Sequence, residues 1–192
     1  MLVAMIAAVG CGGTTTSTEQ VDTELDIGLD PGLGETSAEL RGMGPELAAV
    51  RAATAKYHNV EAALADGFVP VSECTSSPMG AMGVHYLRPD RLDLTTRPTE
   101  PELLLYEPRP GGMRLVAVEY MVPVIVDGRP YFGTTPPPAM PSPTVLGHTM
   151  HGPMAGHGPG MPWHWDFHVW LWRHNPSGMF EDWNPAVTCP PG

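Results

Sequence analysis

The chain has 192 residues, 42% hydrophobic and 16% charged, enough apolar content for one core beneath a sparsely charged surface. Its formal net charge is −11, and Lys56 is the only lysine among 10 basic residues, which excludes a phosphate-neutralising nucleic-acid surface. Past residue 10 no apolar run reaches the roughly 20 residues that span a bilayer, and neither G-x-x-x-x-G-K nor a strand-linked G-x-G-x-x-G occurs.

Residues 1–10 form a short apolar stretch, and Ala8-Val9-Gly10-Cys11 has the form of a bacterial lipobox. The expectation is a signal peptide over 1–10, cleaved before Cys11, whose thiol then carries diacylglycerol. Such a chain is an exported, cell-envelope lipoprotein facing the periplasm or cell exterior, held to the membrane by its lipid anchor. With Cys11 lipidated, Cys74 and Cys189 remain as an even pair in an oxidising compartment, and a disulfide between them is expected. Closing so long a loop is worth about 4–5 kcal/mol in the chain-entropy model. Neither cysteine belongs to the C-x-x-C or C-x-x-H pairs typical of thiolate metal sites.

Residues 11–44 read as a disordered acidic tether. Eight acidic groups between Glu19 and Glu46 face Arg41 alone, so this stretch supplies −7 of the −11 and says little about partners.

Residues 45–192 are predicted to form a single α+β domain, one N-terminal helix packed on a curved antiparallel sheet or partial barrel. The helix is placed at 45–66, with Pro45 in its first position and Gly67 as the left-handed residue beyond its end. Leu47, Val50, Thr54, Tyr57, Glu61 and Leu64 share one face at 3-4 spacing, and His58 falls on the helix surface. Strands are predicted at 83–87, 102–106 and 114–126, the last bent at Pro123, and at 129–132 after an Asp127-Gly128 turn. The proline-rich residues 133–162 carry no predicted element. The final strand is placed at 163–173, and Asn175-Pro176, Glu181-Asp182 and Asn184-Pro185 read as turns.

Six of the eight histidines lie in residues 148–174. His148, Met150, His151, Met154 and His157 occupy a Gly- and Pro-rich tract, and imidazole with thioether donors favours copper. The tract reads as a lid or acquisition arm with these five as possible loop ligands. A sharper pattern is Trp163-His164-Trp165-Asp166-Phe167-His168-Val169-Trp170-Leu171-Trp172. In a strand, Trp163, Trp165, Phe167, Val169 and Leu171 share a core face, while His164, Asp166 and His168 share the other. Two imidazoles about 7 Å apart, framing a carboxylate, are able to converge on one ion. His85, in the predicted strand at 83–87, and Glu119, a charge amid Val and Leu that is costly unless paired or ligating, complete the set.

The expected site therefore holds copper or zinc through His85, Glu119, His164 and His168, with Asp166 orienting a histidine from outside the coordination shell. Against it stand a His–Asp hydrogen-bonded network and a Glu119 ion pair with Arg114 or Arg173. Two other functions compete. An open coordination position would activate water or dioxygen in a metal-dependent enzyme. Alternatively, the Trp-lined face and Met-rich loop would enclose an apolar ligand or protein partner. Nucleophilic catalysis has little support, because no G-x-S-x-G occurs and Ser72, Ser76 and Ser77 lack a visible partner.

A longer series of segments carries a resemblance. It runs through Tyr57-His58-Asn59, Gly67-Phe68-Val69-Pro70, Gly80-Ala81-Met82-Gly83-Val84-His85-Tyr86, Leu104-Leu105-Tyr106-Glu107-Pro108 and Val118-Glu119-Tyr120. It ends with residues 164–172, His174-Asn175-Pro176-Ser177-Gly178-Met179-Phe180 and Asn184-Pro185-Ala186-Val187-Thr188-Cys189. Over about residues 45–190 the chain resembles a group of uncharacterised exported bacterial proteins, often predicted lipoproteins. The resemblance implies export and a single domain, and transfers no catalytic residue.

Overall fold

The computed structural model describes residues 37–190, which belong to one compact unit. The expected signal stretch, Cys11 and most of the tether fall outside the described residues. No described helix is long and apolar enough to cross a membrane.

The predicted single helix is broken in two. Helix α1 covers Ser37–Thr54, taking Pro45 into its interior; a 3₁₀ turn at Ala55–His58 leads to α2 at Val60–Ala65. Local side chains make the break. Thr54 Oγ1 donates back to the Val50 carbonyl at 2.8 Å, a bond that competes with helix continuation. Asn59 is extended (φ −90, ψ 108), and its side chain caps α2 by accepting the Glu61 N–H at 3.1 Å. The face shifts accordingly: Leu47, Val50, Thr54 and Tyr57 are buried, but Glu61 and Leu64 turn outward and Ala63 is buried instead. Gly67, at φ +92, ends α2 in the predicted left-handed conformation.

Strands follow at β1 (Val69–Pro70), β2 (Thr75–Ser77), β3 (Gly80–Leu87), β4 (Leu103–Arg109), β5 (Gly112–Pro123), β6 (Ile125–Val126) and β7 (Arg129–Pro130). Three short ones, β8 (Thr144–Val145), β9 (His148–Thr149) and β10 (His151–Met154), occupy the stretch expected to lack elements, and β11 (His164–Val169) is last. The main sheet has seven strands in the order β1-β3-β4-β5-β11-β10, with β2 also on β3, all antiparallel. It is open rather than closed, so the domain is α+β with a sheet and not a barrel.

Both faces of this sheet are covered. On one, Tyr86, Leu104, Tyr106, Val118, Tyr120, Trp165 and Phe167 join Leu47, Val50 and Tyr57 in the larger core. Tyr106 Oη donates to the Tyr57 carbonyl at 2.7 Å, fixing the helical segment to the sheet. On the other face Leu103, Leu105, Ala117 and Met121 pack with Trp170 and Val187. The chain after β11 covers that second face without regular structure. Asn175 and Asn184, read from sequence as turn residues, are buried hydrogen-bonding centres: Asn175 Nδ2 donates to Trp183 O, and Asn184 Nδ2 to His174 O. Asn184 also bridges to Ala81, and a Cβ on Gly80 would come 2.4 Å from its backbone, so only glycine fits there. The end of this segment is fastened by the expected disulfide, Cys74–Cys189, with Cα atoms 5.6 Å apart.

Candidate metal centre

Strand alternation brings His85 of β3, Glu119 of β5 and His168 of β11 to the sheet face opposite the helices. His168 stands directly across from Glu119 in the ladder. His85 arrives through Leu105 and Ala117, one diagonal step from Glu119. All three are buried, and one ligand atom from each lies within 4.8 Å of the others. Glu119 Oε2 is 3.5 Å from His85 Nε2 and 3.8 Å from His168 Nε2.

These separations suit donors around an ion better than hydrogen bonds to one another. Glu119 Oε2 and both ring nitrogens of His168 are buried without a hydrogen-bond partner, whereas buried polar atoms are ordinarily paired. Two donors each about 2.1 Å from one tetrahedral ion stand about 3.4 Å apart, close to the spacing found here. The predicted alternative of a Glu119–arginine pair gives way. Arg114 sits opposite Glu107 in the β4–β5 ladder, and Arg173 donates to the Ala186 carbonyl.

Outer residues orient the imidazoles. Ser72 Oγ accepts the His85 backbone N–H at 3.0 Å and lies 2.9 Å from His85 Nδ1, turning Nε2 toward Glu119. Asp182 Oδ1 lies 3.6 Å from His168 Nδ1, near enough to act on its charge. Burial pulls the His85 imidazole down to about 3, helped by His168, which leaves it neutral with a lone pair free to ligate. Burial pushes the Glu119 carboxyl well above its usual range, with His168 offsetting part of the rise. Burial also pulls His168 down, but Glu119 and the Asp182 and Asp166 carboxylates override it and raise the imidazole.

Beside this triad are two further groups of potential ligands, His157 with His164 and Asp166, and His151 with Asp166 and Asp182. His164, expected to join the first triad, belongs to the second. Asp166, expected to act from outside the shell, presents a buried Oδ1 with no hydrogen-bond partner and falls in two of the three groups. His151 Nδ1 is 2.9 Å from Asp182 Oδ1, and Asp182 is held below the usual carboxylate range chiefly by His168 and then by His151. Glu119, Asp166, His85, His157 and Asp182 open on a common cavity of about 500 Å³, with Met82, Met121, Met154 and Met161 also in its walls.

Two of the five tract residues lie elsewhere. His148 packs on Phe167 and Phe180, ring centroids 5.3 and 4.5 Å away, and Met150 is buried in the same helix-side core. They stand before the chain crosses into β10, and only after that crossing do side chains reach the cavity. The tryptophans of the expected ligand face are packed rather than open to a ligand: Trp170 is buried with Nε1 donating to Glu181 O at 2.6 Å, and Trp172 packs against Arg51 and His58. Sequence reasoning missed Ser72 and Asp182. Asp182 was legible only through the cysteine pairing, which brings the end of the chain back to the strand region. No known family, characterised protein or solved structure matches the chain, so its functional reading rests on this geometry.

Proposed function

We propose that this chain is an exported protein that holds a transition-metal ion through His85, Glu119 and His168. The observation that carries the reading is Glu119 Oε2, buried and unpartnered between two imidazole nitrogens at 3.5 and 3.8 Å. Two imidazoles and a carboxylate, once the ion has displaced the protons of His168 and Glu119, suit zinc, and three protein donors leave a fourth position open, the pattern of catalytic rather than closed structural zinc sites. The cavity methionines support a second reading, because thioethers near imidazole favour Cu(I).

The test uses protein purified without a histidine tag, stripped with chelator and titrated with Zn(II) and with Cu(I). His168→Ala should weaken binding of the preferred ion by more than tenfold while circular dichroism stays native-like. Unchanged affinity in that variant overturns the site. Export is supported by the disulfide, which belongs to oxidising compartments, and by the lipobox form of Ala8-Val9-Gly10-Cys11. Cys11→Ala should abolish lipid labelling and release the protein from the membrane fraction; unchanged membrane association ends the lipoprotein reading.

A further inference from the structure

We infer that the cavity holds a second metal ion, bound by His157, His164 and Asp166. These residues donate one ligand atom each within 4.8 Å of one another, and none of them belongs to the first triad. The two readings therefore stand or fall separately.

His164 has no solvent exposure. Its Nδ1 lies 2.9 Å from the Pro162 carbonyl, an acceptor only, so Nδ1 carries the proton and Nε2 presents its lone pair. That Nε2 has no hydrogen-bond partner. A histidine fixed through one nitrogen by a backbone carbonyl, with the other bare, is oriented as metal-bound histidines are. Asp166 is the second buried donor. Its Oδ2 is 3.9 Å from His164 Nε2, beyond hydrogen-bond range, and its Oδ1 has no partner. The predicted His–Asp hydrogen-bonded network is therefore not formed between these two. Two buried, unpaired donors side by side are costly unless something binds them.

His157 closes the set from the loop between β10 and β11. Its ring lies 5.2 Å from the His164 ring between centroids, and it is exposed where the other two are buried. The loop is shaped by the Met161 N–H donating to Gly158 O at 3.1 Å. At Gly156 a Cβ would meet the Met161 carbonyl at 1.9 Å, so this tight return tolerates no side chain. The arrangement is two fixed ligands on a strand and a third on the solvent side of the cavity. The third group, His151 with Asp166 and Asp182, is not proposed as a centre, because His151 and Asp182 already satisfy each other at 2.9 Å.

Two imidazoles and one carboxylate again describe a borderline transition-metal site. The test counts ions on the full chain without a histidine tag: chelator-stripped protein is loaded with Zn(II), gel-filtered and analysed for bound metal. Two equivalents are expected for the wild type, one for His157→Ala, one for His168→Ala and none for the double variant. His164→Gln should match His157→Ala. Should that buried substitution fail to fold, as judged by circular dichroism, exposed His157 keeps the test intact. A wild type with a single equivalent, lost in His168→Ala and kept in His157→Ala, overturns the second centre and leaves the first. A single equivalent lost in His157→Ala and kept in His168→Ala supports this centre and overturns the first. Two equivalents retained in His157→Ala overturn the inference.

Discussion

Glu102 offers a quantitative test of how burial sets charge in this fold. It stands one residue before β4, where β5 continues past the start of its neighbour, and its carboxylate accepts the Met121 N–H at 3.2 Å. The side chain thus does at the strand end what a backbone carbonyl does within the ladder. Burial pushes its pKa from 4.5 to about 7, its backbone donors offsetting part of the rise. Between those values the folded chain keeps a proton that the unfolded chain has released, so this group's stabilisation is complete below about pH 4.5. It is lost as pH rises through about 7. A shift of about 2.5 pH units at 1.36 kcal/mol each gives about 3 kcal/mol. Glu102→Gln keeps an oxygen for Met121 and removes the titration. Urea unfolding of both proteins from about pH 4 to about pH 8 should show the variant gaining about 3 kcal/mol relative to wild type across that range. Taking the difference cancels the titration of Asp166 and the histidines and leaves that of Glu119 only through the small push Glu102 exerts on it. A gap that stays constant with pH refutes the burial argument.

Protons and metal would compete for the proposed site at the first triad. Because Glu119 and His168 both hold protons above their ordinary ranges, zinc affinity should keep climbing with pH beyond the usual histidine range. Calorimetry in buffers of different ionisation enthalpy should register proton release, and pH-independent affinity without release would contradict the assignment. Removing the disulfide with a Cys74→Ser, Cys189→Ser double substitution should cost about 4–5 kcal/mol, the chain-entropy value for a loop of 115 residues. Denaturant midpoints of variant and wild type measure this directly, and an unchanged midpoint would show that the loop is already constrained in the unfolded chain. Gly80→Ala should destabilise by about 1–3 kcal/mol, since the added methyl meets Asn184 backbone that cannot yield; a neutral effect in the same assay would refute that close approach.

Much of the sheet was legible because its strands are short apolar or alternating runs, Val-rich in β5 and Leu-rich in β4, set between Gly, Pro and Asp turns. The Asp127-Gly128 turn takes positive φ at both residues, as the hairpin between β6 and β7 requires. The alternation of residues 164–168 separated His164, Asp166 and His168 from Trp165 and Phe167. It did not reveal that both faces would be buried, since the cover comes from residues 170–190, whose contacts are held by lone side chains such as Asn175 and Asn184. Helix continuity was misjudged at Asn59, where a side-chain cap outweighed the apolar period. The grouping of ligands was misjudged for a related reason. Period-two spacing tells which face a histidine takes, but not which neighbour from another strand or loop meets it. His164 thus went to His157 rather than to Glu119, and Asp182, on an irregular segment, had no period to betray it.

The Cys74–Cys189 bond has a consequence for the order in which the cavity is assembled. Asp182 and Trp183 form part of its wall, and Cys189 lies seven residues further on, at the end of a segment with no strand of its own. Every strand that carries His85, Glu119 and His168 is complete by Val169. The three candidate donors are therefore carried by strands that form without the disulfide, while the wall beside them, held by Asn175 and Asn184, is fastened covalently only when two thiols have been oxidised. A freshly made chain under reducing conditions would present these candidate donors on a face not yet latched by the disulfide. Oxidation then acts as the closing step, and an ion held at the proposed site would be one drawn from the compartment in which the thiols met.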